Sequence, residues 1–176
     1  MPLKINFGCG SSKIPGFLNC DADENLHPDT VVDLLKFPYP FEDATAGLIV
    51  LSHTIEHIQA RFHEAILLEF NRILVKDGRL VITYPEFIKC AQNYITNHQG
   101  KRDFWEATIY GRQLTPWDHR VTAMETTAFK SLLTTCGFYE IIDHPEIDQP
   151  FNTVVTAKNG TRLPSYEEAM YKEFYT

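Results

Sequence analysis

Ser52-His53-Thr54-Ile55-Glu56-His57 sets two imidazoles and a carboxylate within six residues. As a bare pattern it contains H-x-x-E-H, the zinc signature of one class of metalloprotease. On a helix, His53 and His57 would share a face and could grip one metal ion, with Glu56 beside them. Such a metal-dependent hydrolase would also need a third ligand, usually a distant acid, and a large cleft. The chain has many acids but no second signature. The other reading makes Ser52 and His53 the lining of a ligand pocket. Glu56 and His57 would then begin the next helix, with Glu56 favoured at its positive N-terminal end. Which reading holds depends on the element that delivers the motif.

That element is a strand. Gly47-Leu48-Ile49-Val50-Leu51 is a continuous apolar run of the length and β-branched content of a fully buried parallel strand. After the motif, "HEAILLEFNRILV" repeats apolar residues at helical spacing, and Gly78 reads as its left-handed stop. Arg79 to Tyr84 is the next buried strand, ended by Pro85. Strand, helix and strand over this span make a βαβ unit, and hence a parallel sheet in an α/β fold. Upstream, Leu3 to Phe7 reads as a strand entering Gly8-Cys9-Gly10, Phe17 to Cys20 as a second ending at Asp21, and Val31 to Leu34 as a third. Downstream, a helix is expected over Glu86–Asn97 and another over Thr126–Cys136, the latter capped by Thr126 and stopped at Gly137. Strands at Phe138–Ile142 and Asn152–Ala157 would follow as an antiparallel hairpin joined by "DHPEIDQP". Residues 98–123 fit no period and read as an insertion over the substrate edge, where binding residues often sit. Near the C-terminus, Tyr166, Met170 and Phe174 fall on one helical stripe expected to pack back onto a single domain of 176 residues.

Composition narrows the class. Hydrophobic residues make up 44% of the chain, with no approach to the roughly 18 consecutive apolar residues of a membrane span. The start, "MPLKINFGCG", turns polar too soon for a secretory signal. Cys9, Cys20, Cys90 and Cys136 form no C-x-x-C pair, which points to reduced thiols and a cytoplasmic protein. The net charge of −7, from 16 Lys+Arg against 23 Asp+Glu, disfavours a nucleic-acid partner and suits a cationic ligand.

A strand running into Gly-Cys-Gly, then a second strand closed by an acid, suits a nucleotide-type cofactor: glycine permits close backbone approach, and the acid accepts from a ribose diol. "INFGCGSSKIPGFLNCD", "DLLKFPYPFEDATAGLIVLSHTIEH" and "NRILVKDGRLVITYPEF" occur in that order. With them the chain resembles the class I S-adenosylmethionine-dependent methyltransferases, in their compact form, over about residues 3–87. A weaker echo continues through "YGRQLTPWDHR" and "LLTTCGF". The resemblance implies a Rossmann-like sheet of seven strands, mostly parallel, with the last strand antiparallel. It implies S-adenosyl-L-methionine as cofactor, with Gly8, Cys9 and Gly10 under its methionine part and Asp21 on the ribose. Asp23 stands close enough to be a rival ribose ligand. Asp33 and Leu34 would lie at the adenine, and Ser52 and His53 near the sulfonium.

In-line transfer of an activated methyl requires alignment and exclusion of water. A hydroxyl acceptor also needs a general base. His53 and His119 are the imidazoles expected at the mouth, and Asp118 could orient one of them or act as base itself. Trp117-Asp118-His119-Arg120 reads first as a structured loop held by an aromatic and a salt bridge. No [DNS]-P-P-[YFW] follows the fourth strand, which argues against DNA amino-group methylation. Phe104, Trp105, Tyr110 and Trp117 suit a small-molecule acceptor, and family analogy points to a sugar or nucleotide-sugar hydroxyl. A non-catalytic S-adenosylmethionine or S-adenosylhomocysteine binder supporting a partner is the alternative.

Overall fold

The computed structural model describes residues 1–97, 102–144 and 151–161. Its strands are β1 (Leu3–Phe7), β2 (Leu18–Asp21), β3 (Thr30–Val31), β4 (Ala46–Ser52), β5 (Leu74–Pro85), β6 (Phe138–His144) and β7 (Asn152–Asn159). The helices are α1 (His63–Ile73), α2 (Phe87–Asn97), α3 (Arg102–Tyr110) and α4 (Thr126–Thr135). All seven strands join one sheet in the order β3-β2-β1-β4-β5-β7-β6. β1 to β5 pair in parallel, whereas β7 runs antiparallel to both β5 and β6. The mostly parallel sheet with an antiparallel last strand is therefore as the resemblance implied.

Strand order reverses between β1 and β4, and open α/β sheets bind ligands in the crevice at such a switch point. Phe7 is in register with both Leu51 and Cys20, so β1, β4 and β2 end at one edge. Gly8, Asp21 and His53 must emerge there together. Beneath them Ile5, Phe7, Ile49, Leu51, Leu80 and Ile82 are buried at 0–1% exposure, which is why these strands read as unbroken apolar runs.

Phe7 stacks on Phe70 of α1 at 5.0 Å between ring centroids and meets Tyr39 at 5.5 Å. Tyr39 fastens the loop after β3: its hydroxyl donates to the Leu34 carbonyl at 2.9 Å, and its amide donates to Glu69 Oε2 at 2.9 Å. Glu69 is wholly buried and takes two bonds from Arg72, at 2.7 Å each, while Arg72 also reaches Asp43 and the Phe41 carbonyl. Glu69→Ala would leave the Tyr39 amide without its acceptor and strip Arg72 of the two bonds to Glu69, its contacts to Asp43 and the Phe41 carbonyl remaining. It is expected to cost about 1–3 kcal/mol in a denaturant melt, the penalty for a buried donor left unpaired.

Several local expectations differ. α1 stops at Ile73 because Leu74 turns extended (φ −69, ψ 138) and enters β5 directly, so Gly78 is not the stop. The left-handed residue there is Asp77, φ 62. β3 has only two residues, which leaves Asp33 and Leu34 in the loop beyond it. Glu125, not Thr126, caps α4, accepting from the amides of Thr127 and Ala128 at 2.8 and 2.7 Å. The supposedly aperiodic segment contains α3, which buries Trp105 and Thr108 and sets Trp105 edge-on to Phe151. Part of "DHPEIDQP" (residues 145–150) and the Tyr166, Met170 and Phe174 stripe lie outside the described residues. Among the described residues no helix is long and apolar enough to cross a membrane. All four cysteines are buried free thiols, and burial pushes Cys20 and Cys136 up to about 12.

Candidate active site

Gly8 leaves β1 at φ +62, a region in which L side chains are strained. A Cβ there would also lie 2.3 Å from Thr54 Oγ1, so the first loop packs directly on the turn after β4. Gly8→Ala is expected to cost about 2–4 kcal/mol from overpacking plus left-handed strain. Pairing it with Thr54→Ala should recover the steric part in the same thermal melt.

Cys9 donates its amide to the Cys20 carbonyl at 3.0 Å and is 4% exposed, so it ties the loop to β2 through its backbone. Burial, then the nearby Asp21 charge, raises its thiol above the ordinary range, which suits a packed group and not a nucleophile. The Gly10 amide donates to Asp21 Oδ2 at 2.8 Å, and the Asp23 amide to Oδ1 at 3.0 Å. Each carboxylate oxygen has two lone pairs, so a held Asp21 can still accept from two hydroxyls. A Cβ built on Gly10 meets nothing within 4 Å. Asp23 instead caps the short turn at Glu24–Leu26, accepting from the Asn25 amide and side chain at 3.0 and 2.8 Å.

Gly8 and Asp21 open onto a cavity of about 290 Å³. Its wall comprises Gly8, Asp21-Ala22, Val32 to Leu35, His53-Thr54, His57-Ile58 and Trp117-Asp118. Asp33 is braced by the Leu35 amide at 2.9 Å and Lys36 at 3.3 Å, and Leu34 is buried. Asp21, Asp33, Leu34, His53 and Asp118 thus share one wall. Cys9, Gly10, Asp23, Ser52 and His119 are not part of it, although Ser52 ends β4.

His53 itself is left-handed, φ 51, with its amide bonded to the Thr83 carbonyl at 2.8 Å. A non-glycine residue there stores about 1–3 kcal/mol of strain, held by its surroundings. The turn aims the ring into the crevice, with Nδ1 3.5 Å from Glu56 Oε1. Glu56 and His57 do not begin α1. They belong to a single 3-10 turn, Ile55–His57, and α1 starts later at His63. His63, which sequence reasoning passed over, locks that turn: its buried Nε2 lies 3.1 and 3.0 Å from the Ile55 and Ile58 carbonyls. Burial lowers its pKa and keeps it neutral.

H-x-x-E-H therefore spans a strand end and a 3-10 turn, so the stacked helical pair a metal grip needs is not formed. His57 Nδ1 donates to the His119 carbonyl at 2.8 Å, and among the described residues no three His, Cys, Asp or Glu side chains gather around a metal position. The segment carrying Trp117 and Asp118 is fastened onto this same turn. Val121 and Thr122 donate their amides to the Glu56 carbonyl at 3.0 and 3.3 Å, and Thr122 Oγ1 donates to Ile58 O at 2.6 Å. Gly111 (φ +82) closes the loop, since a Cβ there would collide with the Asp118 carbonyl at 1.7 Å.

A family model of a methyltransferase domain matches residues 6–82, a span that contains Gly8, Asp21, Asp33 and His53. The chain has the class I methyltransferase fold. It superposes on a SAM-dependent methyltransferase from Archaeoglobus fulgidus with TM-score 0.62 and 13% identity, covering 89% of this chain and 86% of the other. A SAM-dependent methyltransferase from Thermotoga maritima, described as a possible histamine N-methyltransferase, gives 0.61 and 15%, with coverage of 90% and 83%. For the CurJ carbon methyltransferase the values are 0.63 and 14%; 91% of this chain is covered but only 49% of CurJ, so the chain spans about half of that structure. No curated protein matches the chain in sequence. The methyltransferase match implies S-adenosyl-L-methionine as cofactor. The wall suits it: a glycine, Gly8, at the end of β1, a braced acid with spare lone pairs for a diol, and a second acid beside a buried leucine for a base.

Proposed function

We propose that this chain transfers a methyl group from S-adenosyl-L-methionine to a hydroxyl of a small-molecule acceptor, with sugars and nucleotide sugars the first acceptors to try. The observation that carries this reading is the Asp21 carboxylate, held by the Gly10 and Asp23 amides in the same cavity wall as His53. When bound, the cofactor supplies a methyl already activated by a positive sulfur. The protein's tasks are then to bind, align and dehydrate, and to remove one proton.

Asp21 would accept from the ribose hydroxyls, Asp33 from the adenine amino group, and Leu34 would cover a ring face. Gly8 and Gly10 would admit the methionine part against the backbone. His53 would take the acceptor's proton as the new carbon–oxygen bond forms, and the proton would later leave to water. The carboxylates of Asp21, Asp33 and Asp118 favour a cationic ligand over the neutral one left after transfer, which assists release of the product. Trp117, 67% exposed on the rim, offers a flat face for a sugar or a base. The buried free thiols fit a reducing compartment, and we place the reaction in the cytoplasm.

Calorimetric titration with S-adenosylmethionine tests the reading. Heat of binding and a raised melting temperature are expected. Neither effect at millimolar cofactor would reject both an enzyme and a non-catalytic binder. Binding without turnover on any acceptor would favour the binder.

A further inference from the structure

We infer that Glu56 is a positioning residue for His53: its buried carboxylate fixes the imidazole with Nδ1 inward and balances the charge the ring gains when it takes a proton. This rests on the reading of His53 as the base. Glu56 is 1% exposed, and neither carboxylate oxygen has a hydrogen bond within the described residues. The charged groups nearest to it are His53 Nδ1 at 3.5 Å and Arg120 Nε at 3.9 Å, both facing Oε1. Arg120 is itself mostly buried, and its Nε and Nη1 likewise lack hydrogen-bond partners among the described residues.

A carboxylate kept dry without hydrogen bonds is costly scaffolding, and an apolar side chain would pack there at less cost. Nor is the side chain needed to fasten the 117–122 segment, because the Glu56 backbone carbonyl already accepts the Val121 and Thr122 amides. Its carboxylate stands instead between a cavity-lining imidazole and a buried cation. The Arg120 guanidinium and His53 Nδ1 both face Oε1, so Glu56 draws the Nδ1 proton and proton exchange with the cavity falls to Nε2. Contacts of this kind are often long without substrate and shorten in the productive complex. The step balances: the acceptor oxygen gains the methyl and gives its proton to Nε2, while the electron pair of the broken carbon–sulfur bond stays on sulfur. The resulting imidazolium faces Glu56.

The test uses the full chain labelled with ¹⁵N-histidine, in three forms: wild type, Glu56→Gln, and the double variant Glu56→Leu with Arg120→Met, which removes both buried charges together. In wild type, neutral His53 should carry its proton on Nδ1. In the double variant the share of Nδ1-protonated His53 should fall. With an accepted hydroxyl acceptor, Glu56→Gln should lower kcat about 100-fold, the lower range of general-base catalysis, with acceptor KM and S-adenosylmethionine affinity unchanged. Identical His53 spectra in wild type and every folded variant would overturn the inference, as would a loss confined to KM. The spectral comparison needs neither cofactor nor acceptor. A wild type that gives no heat with S-adenosylmethionine would reject the methyltransferase reading while leaving the Glu56–His53 pairing to stand or fall on its spectrum.

Discussion

Asp21→Ala is expected to abolish measurable S-adenosylmethionine binding, whereas Asp23→Ala leaves it intact. Two ribose hydroxyls on a charged acceptor contribute about 3–6 kcal/mol together, so the Ala variant should bind at least about 100-fold more weakly by calorimetry. A second loss adds to this, since Asp21 also holds the Gly10 and Asp23 amides, and without it the glycine loop loses its brace. Asp21→Asn should fare little better. Its amide nitrogen cannot accept, so one of those two backbone N–H groups would face a donor. Among the described residues the Asp23 carboxylate accepts from Asn25 alone, at the start of a three-residue turn. Its removal should therefore cost local stability of about 0.5–2 kcal/mol and no cofactor affinity. The reverse pattern, with Asp23→Ala the deleterious change, would move the ribose to the other side of that turn.

The second large effect is on rate. His53→Asn should lower kcat about 10²- to 10⁴-fold, the usual contribution of a general base, with cofactor affinity preserved. Asn is the instructive replacement because it tolerates the left-handed backbone of this position, φ 51, better than other non-glycine residues. A loss of activity then reports on the imidazole and not on a disturbed turn. His119→Ala should leave the rate near wild type, since the His119 ring is exposed and its carbonyl, which the substitution keeps, is what His57 engages. If His53→Asn turned over normally, the proton would have to go elsewhere, and Asp118→Asn would be the next variant to assay.

Sequence reasoning reached furthest where a pattern follows from burial on both faces. Gly47 to Leu51 and Arg79 to Tyr84 read as parallel strands because the sheet centre leaves them little solvent. The glycine loop and the acid closing β2 were legible for the same reason, being fixed by the strands they terminate. Spacing alone left Asp21 and Asp23 as rivals. Their different surroundings, two backbone amides on Asp21 and a short turn capped by Asp23, are set by backbone direction, which no residue pattern records. Glu56 was misjudged because a carboxylate after a buried strand suggests a solvated helix start. Its burial comes from residues 120–122, more than 60 positions away, folding over the turn. Thr54 escaped notice because its place in the wall follows from a Cβ that Gly8 lacks. α3 was missed because nine residues with a narrow apolar stripe carry little periodic signal.

The fastening of residues 121 and 122 onto Glu56 gives the protein a built-in clock. Those two amides are sealed by the same residue whose carboxylate stands behind His53, so they can exchange with deuterium only when the covering loop lifts off the 3-10 turn. Their exchange rate counts openings of the acceptor side, separately from the Gly10 amide, which counts release of the Asp21 brace on the cofactor side. Comparing the two would show whether the halves of the pocket breathe together or in turn, and so whether the two substrates enter through one door or two.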